Sequence, residues 1–326
     1  VTHESASMKA VVYSDYGGPE VLTLVEKDRP EPSQNQVLIR VQAAGINPVD
    51  ARLRSGEMKW LLPGGFPRVP GYDVAGVVEK AGAQSQFQTG QRVLAFLDNV
   101  YGGGYAEYAV GTHSSVVAIP ESMSFAEAAA LPLAGSTALQ SLRDHGHLQR
   151  GMSVLVNGAS GGVGAFGVQI AVADGGVVTG VASQENESFV RSLGAAEFID
   201  YGQQDFTKLN QKWDLIFDAA GKSSFSRARH VLSKDGTYVS TEPSLRGLAV
   251  SLATRLLKKQ GRVMLARSRR DDLSELVRLW SRGQLKINVA ETFPLADASA
   301  AHEKIESGGF CGKIVLDLSP NGGIMH

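Results

Sequence analysis

At 326 residues the chain is long enough for about two domains, and 43% hydrophobic with 20% charged residues describes an ordinary soluble globular protein. A net charge of −1 supplies no field to draw in nucleic acid or an anionic membrane, and no apolar run approaches the roughly 20 residues that span a bilayer. The one cysteine, Cys311, excludes internal disulfides and a cysteine-rich zinc site, and with no secretory pattern in Val1–Ser7 it favours a reducing, cytoplasmic setting.

From Met8 to Val116 the pattern is short strands punctuated by glycine and proline. Lys9–Tyr13, Gln36–Ala44, a strand within Val69–Gly82, Gln91–Phe96 and Tyr105–Val110 predict a compact, barrel-like β domain. Near Ser124 the character changes. Phe125–Leu142 is alanine-rich and helical, with a break at Pro132. Strands at Val154–Asn157, Gly176–Ala182, Glu197–Asp200, Trp213–Asp218 and Thr237–Ser240 then alternate with helices at Glu187–Leu193 and Ser223–Leu232, which implies a parallel, doubly wound sheet. Beyond Gly247 the sequence predicts a helix over Leu248–Lys259, a strand over Arg262–Arg267, helices over Asp271–Gly283 and from Pro294 to Ser307, and a closing strand Lys313–Leu318 expected to rejoin the β domain.

The centre of the chain is the passage from Val154 to Ala171. A β-branched strand gives way to glycines and then to a small-residue helix, with Gly158, Gly161 and Gly164 in GxxGxxG spacing and Gly162 between them. The first glycine permits the turn, the second admits a diphosphate close to backbone, and the third lets helix pack on strand, so that the helix N-terminus faces negative charge. The strand–turn–helix context is what raises the spacing above a chance glycine pattern.

Further motifs flank this passage: Gly45-Ile-Asn-Pro-Val-Asp50 with Arg54-Ser-Gly56, Pro70-Gly71-x-Asp73-x-x-Gly76, Gly104-Tyr-Ala-Glu-Tyr108, Leu133-x-Gly135-x-Thr137-Ala138, and Gly312-Lys-Ile-Val-Leu316. In this order, over residues 8–318, the chain resembles the medium-chain dehydrogenase/reductase superfamily, and within it the zinc-free quinone oxidoreductase and alkenal reductase branch. The resemblance implies a GroES-like β domain over residues 8–126 and 290–326, with a Rossmann domain over 127–289 inserted in it and the site in the cleft between them.

Zinc members of that superfamily carry a cysteine at the position of Asn47 and a His-Glu pair at Tyr72-Asp73, so no metal site is expected, and His145 with His147 lacks the partners to make one. The implied chemistry is hydride transfer from a reduced nicotinamide to a conjugated enone or quinone, whose oxygen needs only hydrogen bonds as charge develops. Asn47 is the first candidate, as a donor to substrate oxygen or cofactor ribose, against the plainer role of an asparagine in the turn before Pro48. Tyr101 is a second catalytic candidate. Asp50, Trp60 and Tyr105 are candidates for the substrate pocket, with loop-fixing and core packing as the alternatives. Some quinone-reducing relatives carry a tyrosine where this chain has Arg52, which removes one proton donor.

For the cofactor the candidates are Asn47, Thr137, Gly158, Ser160, Gly161, Gly162, Val163, Gly164, Ser183, Tyr201, Ala220, Phe310 and Lys313. Thr137 has the alternative of bonding its own helix backbone, and Lys313 that of a solvated strand end. NAD enzymes place an acid at the end of the second strand, about 20 residues beyond the glycines; Ala182 and Ser183 stand there and favour NADPH, although Glu185 and Glu187 follow closely. The basic residues from Arg255 to Arg270 adjoin acids and lack interleaved aromatics, which reads as a solvated face rather than a nucleic-acid site. A homodimer through the Rossmann sheet is the expected assembly. The competing readings are a nicotinamide-binding protein of crystallin or adaptor type with little catalysis, and a zinc alcohol dehydrogenase.

Overall fold

The computed structural model describes residues 6–59 and 65–319. In chain order the elements are β1 (Ser7–Val12), β2 (Thr23–Asp28), β3 (Gln36–Ile46), α1 (Pro48–Arg54), β4 (Asp73–Ala81), β5 (Arg92–Phe96), β6 (Tyr108–Thr112), β7 (Val116–Ala118), α2 (Phe125–Ala130) and α3 (Pro132–Gln140). There follow β8 (Ser153–Asn157), α4 (Gly162–Ala173), β9 (Val177–Ala182), α5 (Glu187–Ser192), β10 (Glu197–Asp200), β11 (Trp213–Asp218), α6 (Phe225–Ala228), β12 (Leu232–Ser240), α7 (Leu245–Ala253) and β13 (Gln260–Val263). The chain closes with α8 (Arg270–Ser281), β14 (Val289–Pro294), α9 (Ala298–Ser307) and β15 (Lys313–Asp317).

Two main sheets result. The first has the order β14-β15-β3-β4-β5-β7, with β6 also on β3. Eleven-residue β3 takes two partners along one edge: Gln36–Arg40 pair with β6, and Ala43–Ile46 pair with β15. That division curls the sheet, and it makes the last strand of the chain a neighbour of one of the first. Helix α2 lies against β3 so closely that a Cβ on Gly45 would stand 2.2 Å from the Ala129 carbonyl oxygen. The alanines of α2 and the glycine of β3 are the sequence's means of bringing the two together.

The second sheet is parallel throughout, in the order β10-β9-β8-β11-β12-β13. Counted from β8 this is 3-2-1-4-5-6, the dinucleotide-binding order, with its switch point between β8 and β11. Both faces are buried. Val154, Val156, Leu215 and Phe217 pack on one side, while Leu155, Ile216, Trp213 and Tyr238 pack on the other. The first of these clusters runs on through α3 and α2 to Ala43, Ala75 and Phe96 of the other sheet, so one apolar core joins the two halves. The fully buried Asp218 ties the strand tips at the switch point by accepting from Asn157 Nδ2 (2.7 Å), the Tyr238 hydroxyl (2.7 Å) and the Ser223 N–H (2.8 Å).

Several sequence-based boundaries move. The helix expected over Ser223–Leu232 shrinks to α6, because Leu232 already belongs to β12. The helix expected over Leu248–Lys259 starts earlier and ends at Ala253, where the Thr254 hydroxyl bonds the Val250 and Gly261 carbonyls and turns the chain. The strand expected over Arg262–Arg267 is β13, displaced toward Gln260, and the one expected over Tyr105–Val110 is β6, displaced to Tyr108–Thr112. Strands β2, β7 and β14 have no counterpart in the sequence reading.

The return of β15 between β14 and β3 buries Leu316 completely. Leu316→Ala is expected to cost about 2–5 kcal/mol by lost transfer energy and a cavity, read in urea denaturation. A cost near zero would mean that the closing strand is not part of the folded core.

Candidate active site

The glycine loop follows β8 and leads into α4, whose N-cap is Gly161. Gly158 adopts φ +83°, and a Cβ there would press the Ala220 Cβ at 2.8 Å. On Gly164 it would stand 2.0 Å from the Gly158 carbonyl oxygen, so the helix can sit this near its strand only without a side chain. The first-turn N–H groups of α4 have no intrahelical acceptors and point out of the helix end. Beside them, the Gly312 N–H donates to the Ser160 carbonyl at 3.0 Å and Gly312 bridges Gly161, fastening the returning segment to the loop.

A cavity of about 1120 Å³ opens in front of this loop, between the two sheets. Asn47, Thr137, Gly158, Gly161, Gly162, Val163, Gly164, Ala220, Phe310 and Lys313 all line it, which brings together residues from both ends of the chain. Thr137 reaches it while its hydroxyl donates to the Leu133 carbonyl of its own helix at 2.7 Å. The volume exceeds that of an ordinary small-molecule pocket and suits an extended dinucleotide with a second molecule beside it.

At the inner wall three polar side chains meet. The Asn47 amide donates from Nδ2 to Asp73 Oδ2 at 2.8 Å and accepts from Lys313 Nζ at Oδ1, which fixes the orientation of the amide. Asp73 also accepts the Leu133 N–H at 2.8 Å, and Lys313 Nζ donates to the Ile46 carbonyl at 2.8 Å while lying 3.9 Å from Asp73 Oδ2. All three are buried, and so Lys313 is no solvated strand end. Burial pushes the Asp73 carboxyl up to about 6, against the Lys313 ammonium and its N–H donors, and holds the Lys313 ammonium below the ordinary lysine range. Behind Asn47, Asp50 caps α1 by accepting the Asn47 backbone N–H at 2.8 Å, and burial pushes its carboxyl up to about 7.

Other candidates fall elsewhere. Asp50 and Tyr105 do not line the cavity. Tyr105 is fully buried behind it, 3.3 Å from Asp50 Oδ2 and 3.1 Å from His302 Nε2, so both are supports of the loop rather than pocket walls. Tyr101 is also outside: Asn99 and Val100 furnish that wall, and the Tyr101 ring turns toward the Arg68 guanidinium, 5.3 Å away. Trp60 lies outside the described residues. Ser160, Ser183 and Tyr201 sit beyond the cavity's lining, at the tips of β8, β9 and β10, where the Tyr201 N–H meets the Ala182 carbonyl at 3.2 Å. There Asn186 is the hub that the sequence reading missed. Its Nδ2 lies 2.9 Å from Ser183 Oγ and 3.4 Å from Ser160 Oγ, and its Oδ1 accepts from Cys311 Sγ at 3.1 Å. Arg52, which the sequence marks only by the tyrosine it replaces, reaches Glu242 with two hydrogen bonds, 3.1 and 2.9 Å, across the cleft mouth. No local pattern links residues 190 positions apart. Among the described residues no three His, Cys, Asp or Glu side chains gather as a metal site, and no helix is long and apolar enough to cross a membrane.

A parallel 3-2-1-4-5-6 sheet carrying a glycine cradle, opposed across a cleft by a curled β sheet, defines a two-domain dinucleotide-binding protein with room for a small molecule. Residues 33–121 match the alcohol dehydrogenase GroES-like domain and residues 193–316 match the zinc-binding dehydrogenase model. The chain is 35% identical to the chloroplast envelope quinone oxidoreductase homolog of Arabidopsis thaliana, covering 95% of this chain and 98% of that one. It is 36% identical to the Arabidopsis thaliana NADPH-dependent alkenal/one oxidoreductase, covering 95% and 79%. The structure of the quinone oxidoreductase from Coxiella burnetii superposes with a TM-score of 0.87 at 32% identity, over 96% of this chain and all of that one. The chain therefore belongs to the medium-chain dehydrogenase/reductase superfamily, in its quinone oxidoreductase and alkenal reductase branch.

Asp50 gives the site a pH signature. Its carboxyl titrates near 4 in an unfolded chain and at about 7 when folded, so between those values the folded state holds the extra proton and stability falls as pH rises. Asp50→Asn keeps an acceptor for the Asn47 N–H without titrating. In urea denaturation across this window the variant is expected to show a shallower loss of stability than the wild type. Parallel profiles would contradict the buried, proton-retaining carboxyl.

Proposed function

We propose that the chain is an NADPH-dependent, zinc-independent reductase of α,β-unsaturated carbonyls or quinones. The observation that carries this reading is the Asn47 amide, bracketed by Asp73 and Lys313 at the wall of a cleft whose opposite wall is the glycine cradle. The donor set fits a nicotinamide dinucleotide: backbone N–H groups of Gly162, Val163 and Gly164 for the diphosphate, with Asn47, Thr137, Ala220 and Phe310 around the rest. Bound there in reduced form, such a cofactor supplies a hydride. The protein's part is to hold an electron-poor carbon near it and to steady the charge that moves onto the substrate oxygen. Asn47 retains a second Nδ2 hydrogen for that oxygen.

Zinc independence is supported by chemistry at the same place. An amide stands where zinc members have a thiolate, and an ammonium, which cannot ligate, lies beside the directly bonded Asn47–Asp73 pair. This favours the enone or quinone reading over alcohol dehydrogenation. The alkenal/one oxidoreductase is NADPH-dependent by name, and the absence of an acid at Ala182 and Ser183 points the same way here. Open edge strand β13 supports a homodimer through the Rossmann sheet, and the free Cys311 supports a cytoplasmic setting.

The test is steady-state consumption of NADPH and NADH over a panel of enones and quinones, with Ala182→Asp beside the wild type. The expected result is an NADPH preference in the wild type that falls at least tenfold in the variant, about 1.4 kcal/mol, as a carboxylate meets the 2′-phosphate. Binding of NADPH with no turnover on any acceptor would support the crystallin-like or adaptor reading instead. A wild-type preference for NADH would refute the cofactor assignment.

A further inference from the structure

Among the described residues, Lys313 is the one buried cation on the cavity wall at Asn47. Its stem runs past the start of α4: a Cβ on Gly162 would stand 2.7 Å from Lys313 Cδ, so the glycine in that position is what lets the stem through. Its Nζ has three N–H bonds. Two are committed, to the Ile46 carbonyl and to Asn47 Oδ1, and the third makes no hydrogen bond among the described residues, with Asp73 Oδ2 at 3.9 Å. A solvated lysine of this length carries no such commitments; this one is 4% exposed, and both of its acceptors belong to cavity-lining residues.

Resting on the reading of the chain as an enone reductase, we propose that Lys313 is a catalytic residue: its ammonium, paired with the Asn47 amide, donates a hydrogen bond to the substrate's carbonyl oxygen. The pair thereby takes the place that a Lewis-acidic metal occupies in zinc enzymes. The hydride would come from a C–H bond of the reduced nicotinamide, which breaks as that ring is oxidised; as the new C–H bond forms at the β-carbon, the π pair of the C=C bond moves to give an enolate, and its negative charge settles on the oxygen that faces Lys313 and Asn47. A proton from water then closes the α-carbon. Lys313 keeps its own protons throughout and acts by charge and hydrogen bonding, at a buried position where both count for more than in bulk water. Asp73 holds the far end of the Asn47 amide and is a positioning residue.

The experiment uses Lys313→Met, which keeps the stem's bulk without charge, and Lys313→Ala, which leaves the space open. NADPH binding is followed by fluorescence titration, and single-turnover reduction of an enone is followed at saturating NADPH. The expected result is NADPH binding within a few-fold of the wild type, a single-turnover rate lower by about 100-fold or more in both variants, and recovery by ammonium or methylammonium in Lys313→Ala alone. Amine rescue is the readout that a packing role would not produce. If Lys313→Met does not fold, Lys313→Met/Asp73→Asn removes both buried charges and serves in its stead. A near wild-type rate, or a loss confined to NADPH affinity, overturns the proposal and makes Lys313 a structural or cofactor-anchoring group. A wild type inert on every enone and quinone defeats the functional reading itself, which the variants' behaviour relative to an active wild type does not touch.

Discussion

The contact on which the site depends is the bond from the Gly312 N–H to the Ser160 carbonyl, 3.0 Å long. It joins the last strand of one sheet to the glycine loop of the other, and it sets where everything after it must lie. With Gly312 pinned, Lys313 is the first residue of β15, and its stem lies against Gly162. From there its ammonium reaches Ile46 and Asn47, at the end of the strand that β15 pairs with. A single backbone hydrogen bond is a modest stabiliser, worth about 1 kcal/mol net. Its importance is geometric: it tethers the loop directly to a returning strand that β14 and β3 already hold in place.

Holding the halves together is a different matter, and the ion pair across the cleft mouth is the wrong place to look for it. Arg52 is 28% and Glu242 42% exposed, and pairs in such surroundings contribute about 0–1 kcal/mol. The continuous apolar core from Ala43 and Ala75 through α2 and α3 to Val154 and Phe217 is far larger, and it joins the two sheets through buried side chains. The cleft is therefore built on a rigid base. Arg52 and Glu242 line that cleft and contribute to its shape more than to the stability of the fold.

Much of this was legible in the sequence where the signal is local. The run from Val154 to Ala171 specifies a strand, a turn that demands glycine and a helix, and β8, the loop and α4 follow it closely. The parallel strands were recognisable because both of their faces are apolar. Strands β2 and β14 were not, since most of their residues are exposed and their pattern resembles a loop. Burial of polar residues was the chief blind spot. Asp50 and Tyr105 look like pocket residues by type, yet the capping of α1 turns Asp50 inward and Tyr105 follows it to His302, nearly two hundred positions away. For Lys313 it is the alternative that fails: a lysine at a strand end is normally solvated, and only the pairing of β15 with β3 encloses this one.

That enclosure also explains why Asp73 and Lys313 can be buried together at the wall, with Asp50 buried behind it. A lone buried carboxylate or ammonium is costly, and the usual remedy is neutralisation or a partner. Here Asp73 has the Lys313 ammonium nearby with two N–H donors on its oxygens, and Asp50 leans on the alternative, retaining its proton toward neutral pH. The wall is thus close to neutral while keeping one positive end turned toward Asn47. A site that must accept a neutral, conjugated substrate and then bear a negative charge on its oxygen needs that asymmetry: little net charge to repel or bind the ground state, and a fixed dipole that gains value only as electrons move.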